Sequence, residues 1–191
     1  MEKENYQLHF EKGISYQNYF LNMESELNSG VETKYTKYIH LNIQRSKRLD
    51  KTFHLDRLPI VLKSEIKWLV ITEHWCGDSS QILPVINKIV LASAGKIDLR
   101  IVYRDENIDL MSAHLTDGSK SIPKLIQLNK DFKLINDWGP RPEEAQKLVK
   151  ELKSNVETAK TYSDLVQKWY NDDKQKAIVN ELLRLLVEIP I

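Results

Sequence analysis

A strongly apolar stretch runs directly into a short polar loop at residues 68–79, WLVITEHWCGDS. Its first part, residues 68–72, is a continuous β-prone run, which is typical of a central strand covered on both faces. After the loop, residues 82–90 carry apolar side chains at the spacing of a largely buried helix, which Gly95 is expected to end. The sequence therefore predicts a strand, a loop containing Cys76, and a helix.

The sequence on both sides of this unit predicts an α/β fold, with helices packed around a mixed sheet. Further strands and helices are expected, in chain order, at residues 97–103 (strand), 105–115 (short helix), 124–128 and 134–138 (strands), and after Pro142, which suits a first-turn position (helix). Amphipathic helices are expected before and after this region, at residues 16–27 ended by Gly30, about 33–49, 162–169, and 179–186 stopped by Pro190.

The overall charge argues against long-range electrostatic attraction to nucleic acid or to a membrane. The 191 residues include 28 basic and 27 acidic side chains, a formal charge of +1, so no global field draws the chain to nucleic acid or to an anionic membrane. No apolar run approaches the roughly 18 residues that span a bilayer, and the N-terminus lacks the apolar core of a secretory signal. We expect a cytoplasmic protein.

The single cysteine limits the redox chemistry that is available. One cysteine excludes an intrachain disulfide, so any redox reaction involves a second molecule. Cys76 stands where a strand ends and a helix begins, near unpaired N–H groups and the positive end of the helix dipole, which favours the thiolate. Because Trp75 and a polar turn flank it, we expect the thiol to be exposed and nucleophilic. The alternative is a small, buried, inert cysteine.

Residues 75–79, Trp-Cys-Gly-Asp-Ser, resemble the Trp-Cys-Gly-Pro-Cys active site of the thioredoxin family, with serine in place of the second cysteine. Three further positions agree with that family. Pro84 follows the cysteine by eight residues, Ile122-Pro123 precedes a strand as in the cis-proline loop, and Gly139 follows the last strand.

The resemblance implies a thioredoxin fold over residues 61–153, with Pro123 in cis beside Cys76. Residues 1–60 would then be a helical N-terminal extension, and residues 154–191 would be C-terminal helices packed on the core in one globular unit. The segment at 138–142, Trp-Gly-Pro-Arg-Pro, resembles a bacterial subgroup of thioredoxin-like proteins that carry such an N-terminal extension.

The resemblance also implies roles for individual residues in thiol–disulfide exchange. Cys76 would be the nucleophile and Ser79 its hydrogen-bond partner, while the loop and substrate positions would be Trp75, Gly77, Asp78, Ser121, Ile122 and Pro123. Ser79 shares a helix face with Cys76 but cannot resolve a mixed disulfide, so an outside thiol such as glutathione would have to do so. The expected partners are protein or low-molecular-weight thiols and disulfides, with no resident cofactor.

Some positions depart from the family pattern. Thioredoxins usually carry a buried carboxylate where this chain has Val70, a loss that agrees with the missing second thiol. Asp78 replaces the usual proline and places a negative charge near the thiol, with opposing effects on the helix and on the thiolate. Glu73 and His74 are possible acid–base groups, although a histidine near a strand end is more often structural or on the surface.

Other classes of protein fit the residues less well. The Cys-Gly-Asp-Ser sequence is similar to the Cys-Gly-Phe-Ser of monothiol glutaredoxins, but Trp75 and the missing glycine pair after the last strand argue against them. Glu73 occupies the place of the threonine that a one-cysteine peroxidase would need. No ligand spacing supports a metal site. The alternative that stays open is a redox-silent binding module that uses the cis-proline groove.

Overall fold

The computed structural model describes residues 2–187. Within this range the chain forms eight α-helices, four strands and one 3-10 turn. In chain order they are α1 Lys3–Lys12, α2 Tyr16–Asn28, α3 Thr36–Thr52, β1 Ile66–Thr72, α4 Ser79–Ala92, β2 Ile97–Tyr103, the 3-10 turn Arg104–Glu106, α5 Ile108–Ala113, β3 Lys124–Asn129, β4 Leu134–Trp138, α6 Glu143–Ser154, α7 Tyr162–Asp173 and α8 Lys176–Val187.

The four strands form one mixed sheet in the order β2-β1-β3-β4. β1 runs parallel to β2, with Ile66 opposite Ile97 and Thr72 opposite Tyr103. β3 is antiparallel to both β1 and β4, and its ladder with β4 is irregular at Gln127. The α/β architecture with a mixed sheet that the sequence predicts is confirmed.

Each face of the sheet is covered by its own apolar core. Trp68 and Val70 face a large core that contains side chains of α2, α3, α4 and the C-terminal helices. Leu69 and Ile71, which alternate with them, face a smaller core that also contains Cys76. This explains the unbroken apolar run in β1, because a strand buried on both faces has no polar side to present.

Helix α1 covers the second face; residues 1–60 are expected to be helical, but no separate helix is predicted before residue 16. It contributes only Tyr6 and Phe10 to the smaller core, and the rest of its ten residues are mostly polar. The apolar side chains at positions 6, 8 and 10 alternate with polar ones instead of following helical spacing, so the pattern does not predict a helix. After α1, Ile14 forms an isolated antiparallel β-bridge with Ile101 of β2, the strand at the edge of the sheet.

Other element boundaries differ locally from the predictions. The helix expected at 105–115 is a 3-10 turn followed by a short helix, because Asn107 leaves helical geometry and its side chain donates to the carbonyl of Tyr103. Pro142 stands just before α6 rather than inside its first turn. The predicted stop at Pro190 lies outside the described residues. No helix within residues 2–187 is long and apolar enough to cross a membrane.

Candidate active site

Cys76 lies in the loop between β1 and α4, against the segment that precedes β3. Its Sγ is 3.3 Å from the backbone carbonyl oxygen of Ile122, to which the thiol donates a hydrogen bond. The Ile122–Pro123 peptide bond is cis, so this part of the prediction is confirmed. Pro84 lies inside α4, as the resemblance implies. Two segments 46 residues apart thus meet at the sulfur atom.

The expectation of an exposed thiolate is wrong for the protein as described. Cys76 is only 6% exposed. Burial, followed by the nearby charge of Asp78, raises the pKa of the Cys76 thiol to about 11. Hydrogen bonds from the Ser79 hydroxyl and backbone N–H and the charge of Arg141 oppose this rise without overcoming it. The thiol is therefore protonated near neutral pH.

Ser79 is buried in the first turn of α4, one turn from Cys76. Its hydroxyl oxygen lies 2.6 Å from the hydroxyl oxygen of Thr72, the last residue of β1. The same hydroxyl lowers the pKa of Cys76, as a hydrogen bond to a thiolate does. Ser79 thus ties the strand to the helix and also faces the sulfur atom.

Asp78 is held by an ion pair that sequence reasoning missed. Arg141 donates through Nε to Oδ1 of Asp78 at 2.9 Å, and its Nη2 lies 2.6 Å from Oδ2. The Tyr170 hydroxyl donates to Oδ1 of the same carboxylate at 2.9 Å. Asp78 makes no side-chain capping bond at the start of α4. Its carboxylate instead fixes the loop to α7 and to the segment after β4.

The loop before Cys76 is anchored by the N-terminal helices. The Tyr19 hydroxyl from α2 donates to the carbonyl of Glu73, and the Asn42 amide from α3 donates to the carbonyl of His74. The carbonyl of Glu73 also accepts from the backbone N–H of Cys76 at 3.1 Å, so the Tyr19 hydroxyl is its second donor. The N-terminal helices are thus part of the site's support.

Glu73 and His74 have structural partners. Both ring nitrogens of His74 are engaged, with Glu26 on α2 and with the hydroxyl of Tyr103 at 3.0 Å. The Glu73 carboxylate accepts from the backbone N–H of Asp105 at 2.9 Å, and burial raises its pKa. These contacts favour the structural interpretation over an acid–base role.

Gly139 allows the cis-proline segment to pack close to the end of β4. It has φ +111°, and a Cβ atom there would lie 2.4 Å from the carbonyl oxygen of Pro123. No other residue fits such a contact without movement of the backbone. Gly139 therefore helps to set the position of Ile122 and Pro123 beside Cys76.

A buried polar chain connects α1 to the strands behind this segment. The Tyr6 hydroxyl lies 2.9 Å from Nε2 of His114, whose Nδ1 lies 2.7 Å from Asp137. Lys124, which follows Pro123, approaches Asp137 at 3.3 Å. The hydrogen bond from His114 and the charge of Lys124 help hold the pKa of Asp137 below its usual value against the opposing effect of burial. Lys124 can be buried beside the site because its charge is paired with Asp137.

A cleft of about 620 Å³ opens over the site. Of the predicted site residues, the cleft lining includes Trp75, Cys76, Gly77, Asp78, Ser121 and Ile122. The structure therefore brings together most of the predicted set, whereas Ser79 and Pro123 do not line the cleft. Its other walls include side chains of α3 and α7 and of the segments around Arg104, Lys120, Arg141 and Lys160.

The residues that sequence reasoning missed come from distant parts of the chain. Arg141 stands between two prolines in a segment that was singled out, but nothing local assigns its partner. Tyr19, Asn42 and Tyr170 sit on amphipathic helices among many similar polar side chains. Of these residues, only Arg141 could have been identified as a candidate from the sequence, because it lies in the proline-rich segment at 138–142.

A family model described as thioredoxin matches residues 29–153. This chain belongs to the thioredoxin family. No protein with a curated description matches it.

Two solved structures have a fold similar to nearly the whole of this chain. A crystal structure of an HIV epitope-scaffold matches with a TM-score of 0.61 and 17% identity, covering 97% of this chain and 99% of that one. A protein of unknown function from Pseudomonas aeruginosa matches with a TM-score of 0.56 and 16% identity, covering 93% and 94%. At these identities the likeness concerns the fold alone. The bacterial subgroup and the divisions at residues 60 and 153 stay predictions.

Proposed function

We propose that this protein exchanges thiols and disulfides through Cys76 alone, with the partner held in the cleft. The observation that carries the proposal is the position of Cys76 in the cleft lining, with Sγ against the Ile122 carbonyl of the cis-proline segment. A partner disulfide that reaches the floor of the cleft would meet this sulfur atom. The family membership agrees with such chemistry but does not by itself assign it.

The exchange needs the thiolate of Cys76. After the thiol loses its proton to solvent, Sγ attacks one sulfur of the partner disulfide, a new S–S bond forms, and the other half leaves as a thiolate. Because no second cysteine exists, a thiolate from another molecule must attack this mixed disulfide to release Cys76. Because the pKa of the Cys76 thiol is raised to about 11, only a small fraction of molecules carries the thiolate at pH 7, so exchange is slow until a partner changes the surroundings.

The second candidate is a redox-silent binding module that uses the same cleft. Burial of Cys76 and its raised pKa favour this candidate. In that case the thiol serves as a small packed side chain that donates to Ile122, and the partner is held without covalent chemistry.

Mixed-disulfide formation separates the two candidates. The folded chain is incubated with 2-hydroxyethyl disulfide at pH 7, 8.5 and 10, and the adduct is measured by intact mass spectrometry. We expect one adduct, faster at higher pH, reversed by glutathione and lost in Cys76→Ala. If the urea-unfolded chain reacts but the folded chain does not, thiol exchange is wrong and the binding module stands.

A further inference from the structure

The cleft over Cys76 is cationic although the whole chain is nearly neutral. Its basic lining residues are Arg45, Arg104, Lys120, Arg141 and Lys160, and its acidic lining residues are Asp78 and Asp164. The formal charge of the chain is only +1. Because Asp78 is already paired with Arg141, the remaining side chains leave an excess of positive charge in the cleft. Such an excess in a concave surface concentrates anions.

Arg45 is a second cation beside the loop that carries Cys76, after Arg141, which is paired with Asp78. Its Nη1 lies so near Gly77 that a Cβ atom there would be 3.5 Å from it. Its polar contact is with the Asn42 side chain at 3.4 Å, and no carboxylate among the described side chains lies within 4 Å of it. Partial burial of this guanidinium lowers its pKa, although Asp164 and Asp78 oppose the effect. A half-buried arginine without a carboxylate partner is available to a ligand.

Aromatic side chains and the added helices limit what can enter. Trp75 stacks on Tyr35 with ring centroids 5.1 Å apart and planes at 17°, and the guanidinium of Arg104 lies 5.0 Å from the Trp75 ring centre. Side chains of α3 and α7 line the same cleft. Its volume is within the range of small-molecule sites.

We propose, building on the exchange reaction above, that the partner is a low-molecular-weight thiol or disulfide bearing carboxylate or phosphate groups. Arg45 and Lys120, which both line the cleft, would bind the anionic groups, with the sulfur directed at Cys76. Arg104 is not assigned this role, because it is paired with Asp105 and its guanidinium packs on the Trp75 ring. The positive charge selects the partner, and Cys76 reacts with it.

Binding is measured by calorimetry on the full chain with ligands that cannot exchange disulfides. S-methylglutathione supplies carboxylates, its dimethyl ester masks them, and desulfo-coenzyme A supplies phosphates. Arg45→Gln is compared with Arg48→Gln, because Arg48 lies on the same helix but is exposed, bonds to Asn171 and does not line the cleft. The ligand series is repeated at about 50 and about 300 mM salt, since screening weakens exposed charge contacts.

We expect at least one anionic ligand to bind, with Kd raised about tenfold by Arg45→Gln, less than about twofold by Arg48→Gln, and raised by salt. Tighter binding of S-methylglutathione identifies carboxylates as the recognised group, and tighter binding of desulfo-coenzyme A identifies phosphates. If the ester binds as tightly as both anionic ligands, or if the two arginine variants behave alike, the anionic partner is wrong. If an anion binds but Cys76 forms no mixed disulfide with oxidised glutathione, the charge preference stands and the exchange reaction fails.

Discussion

Asp78 and Arg141 form a bidentate ion pair beside Cys76, the only cysteine of the sequence, although 63 residues separate them in the chain. The two side chains are 13% and 15% exposed, so the pair is largely shielded from water. Asp78 raises the pKa of Cys76, and Arg141 lowers it. The balance between these two residues therefore tunes the thiol at the floor of the cleft.

Replacing the carboxylate should shift this balance. In Asp78→Asn the guanidinium of Arg141 loses its counter-charge, so we expect the pKa of Cys76 to fall below about 11 while burial keeps it above the ordinary value. The midpoint of the pH profile of Cys76 alkylation measures this change. A midpoint that stays the same or rises would contradict the assignment.

The same substitution should lower stability. Asp78→Asn leaves a buried arginine charge uncompensated, which costs about 3 kcal/mol of unfolding free energy in urea titrations. Asp172→Asn is the matched control, because Asp172 forms an exposed pair with Lys168 and should cost less than about 1 kcal/mol. Equal losses of unfolding free energy in the two variants would show that the Asp78–Arg141 pair stabilises the protein no more than an exposed ion pair does.

Gly139→Ala should destabilise the protein through a clash with Pro123. An added Cβ would lie 2.4 Å from the Pro123 carbonyl, so either the segment before β3 or the end of β4 must move. Gly118→Ala is the control, because Gly118 also has positive φ but no atom within 4 Å of its Cβ position. We expect a loss of about 1 kcal/mol for Gly118→Ala and at least about 2 kcal/mol more for Gly139→Ala, measured by urea unfolding. Similar losses would mean that the close contact with Pro123 relaxes freely.

The local part of the site could be predicted from the sequence, and the long-range part could not. The order of β1, the cysteine loop and α4 follows from residues 68–90, and the proline at 123 could be placed by its spacing from the motif. Burial of Cys76 could not be predicted, because it depends on how the Ile122 segment packs against the loop. A sequence shows which side chains are present near a cysteine, but the environment that sets its pKa is assembled by tertiary contacts.

The N-terminal helices illustrate the same limit. Tyr19 and Asn42 hold the carbonyls of Glu73 and His74, yet each looks like an ordinary side chain on an amphipathic helix. The apolar periodicity of α2 and α3 predicts that they pack on something. It does not predict that they pack on the loop of the site.

The raised pKa of Cys76 should make stability depend on alkaline pH. The folded-state pKa of about 11 exceeds the unfolded value of about 8.5, so this contribution is full below about 8.5 and is lost as pH rises towards 11. We compare the wild type with Cys76→Ala, because burial raises the pKa of Tyr19 and of Tyr170 well above the ordinary value and keeps both protonated in the folded state over this pH range. The stability advantage of the wild type should shrink by roughly 2 kcal/mol between pH 8 and pH 10, measured by urea unfolding. Parallel pH profiles would rule out a buried, protonated thiol.

Ser79→Cys should convert the site into a dithiol site. Position 79 lies three residues after Cys76 in the first turn of α4, and its hydroxyl and N–H already act on the Cys76 sulfur. We expect the variant to form an intramolecular disulfide and to catalyse the reduction of oxidised glutathione by dithiothreitol several-fold faster than the wild type, because the second thiol releases the mixed disulfide from within.

Ser80→Cys is the matched control for this gain, since it adds a buried cysteine one residue further along, where the hydroxyl of Ser80 bonds to the carbonyl of Gly77 instead. Its thiol is not at the spacing of the dithiol motif, so turnover should stay near that of the wild type. Equal activities of the two variants would show that position 79 has no privileged access to Cys76. A Ser79→Cys disulfide that forms without any catalysis would show that the cleft does not admit the substrate, and would count against thiol exchange as the function of this site.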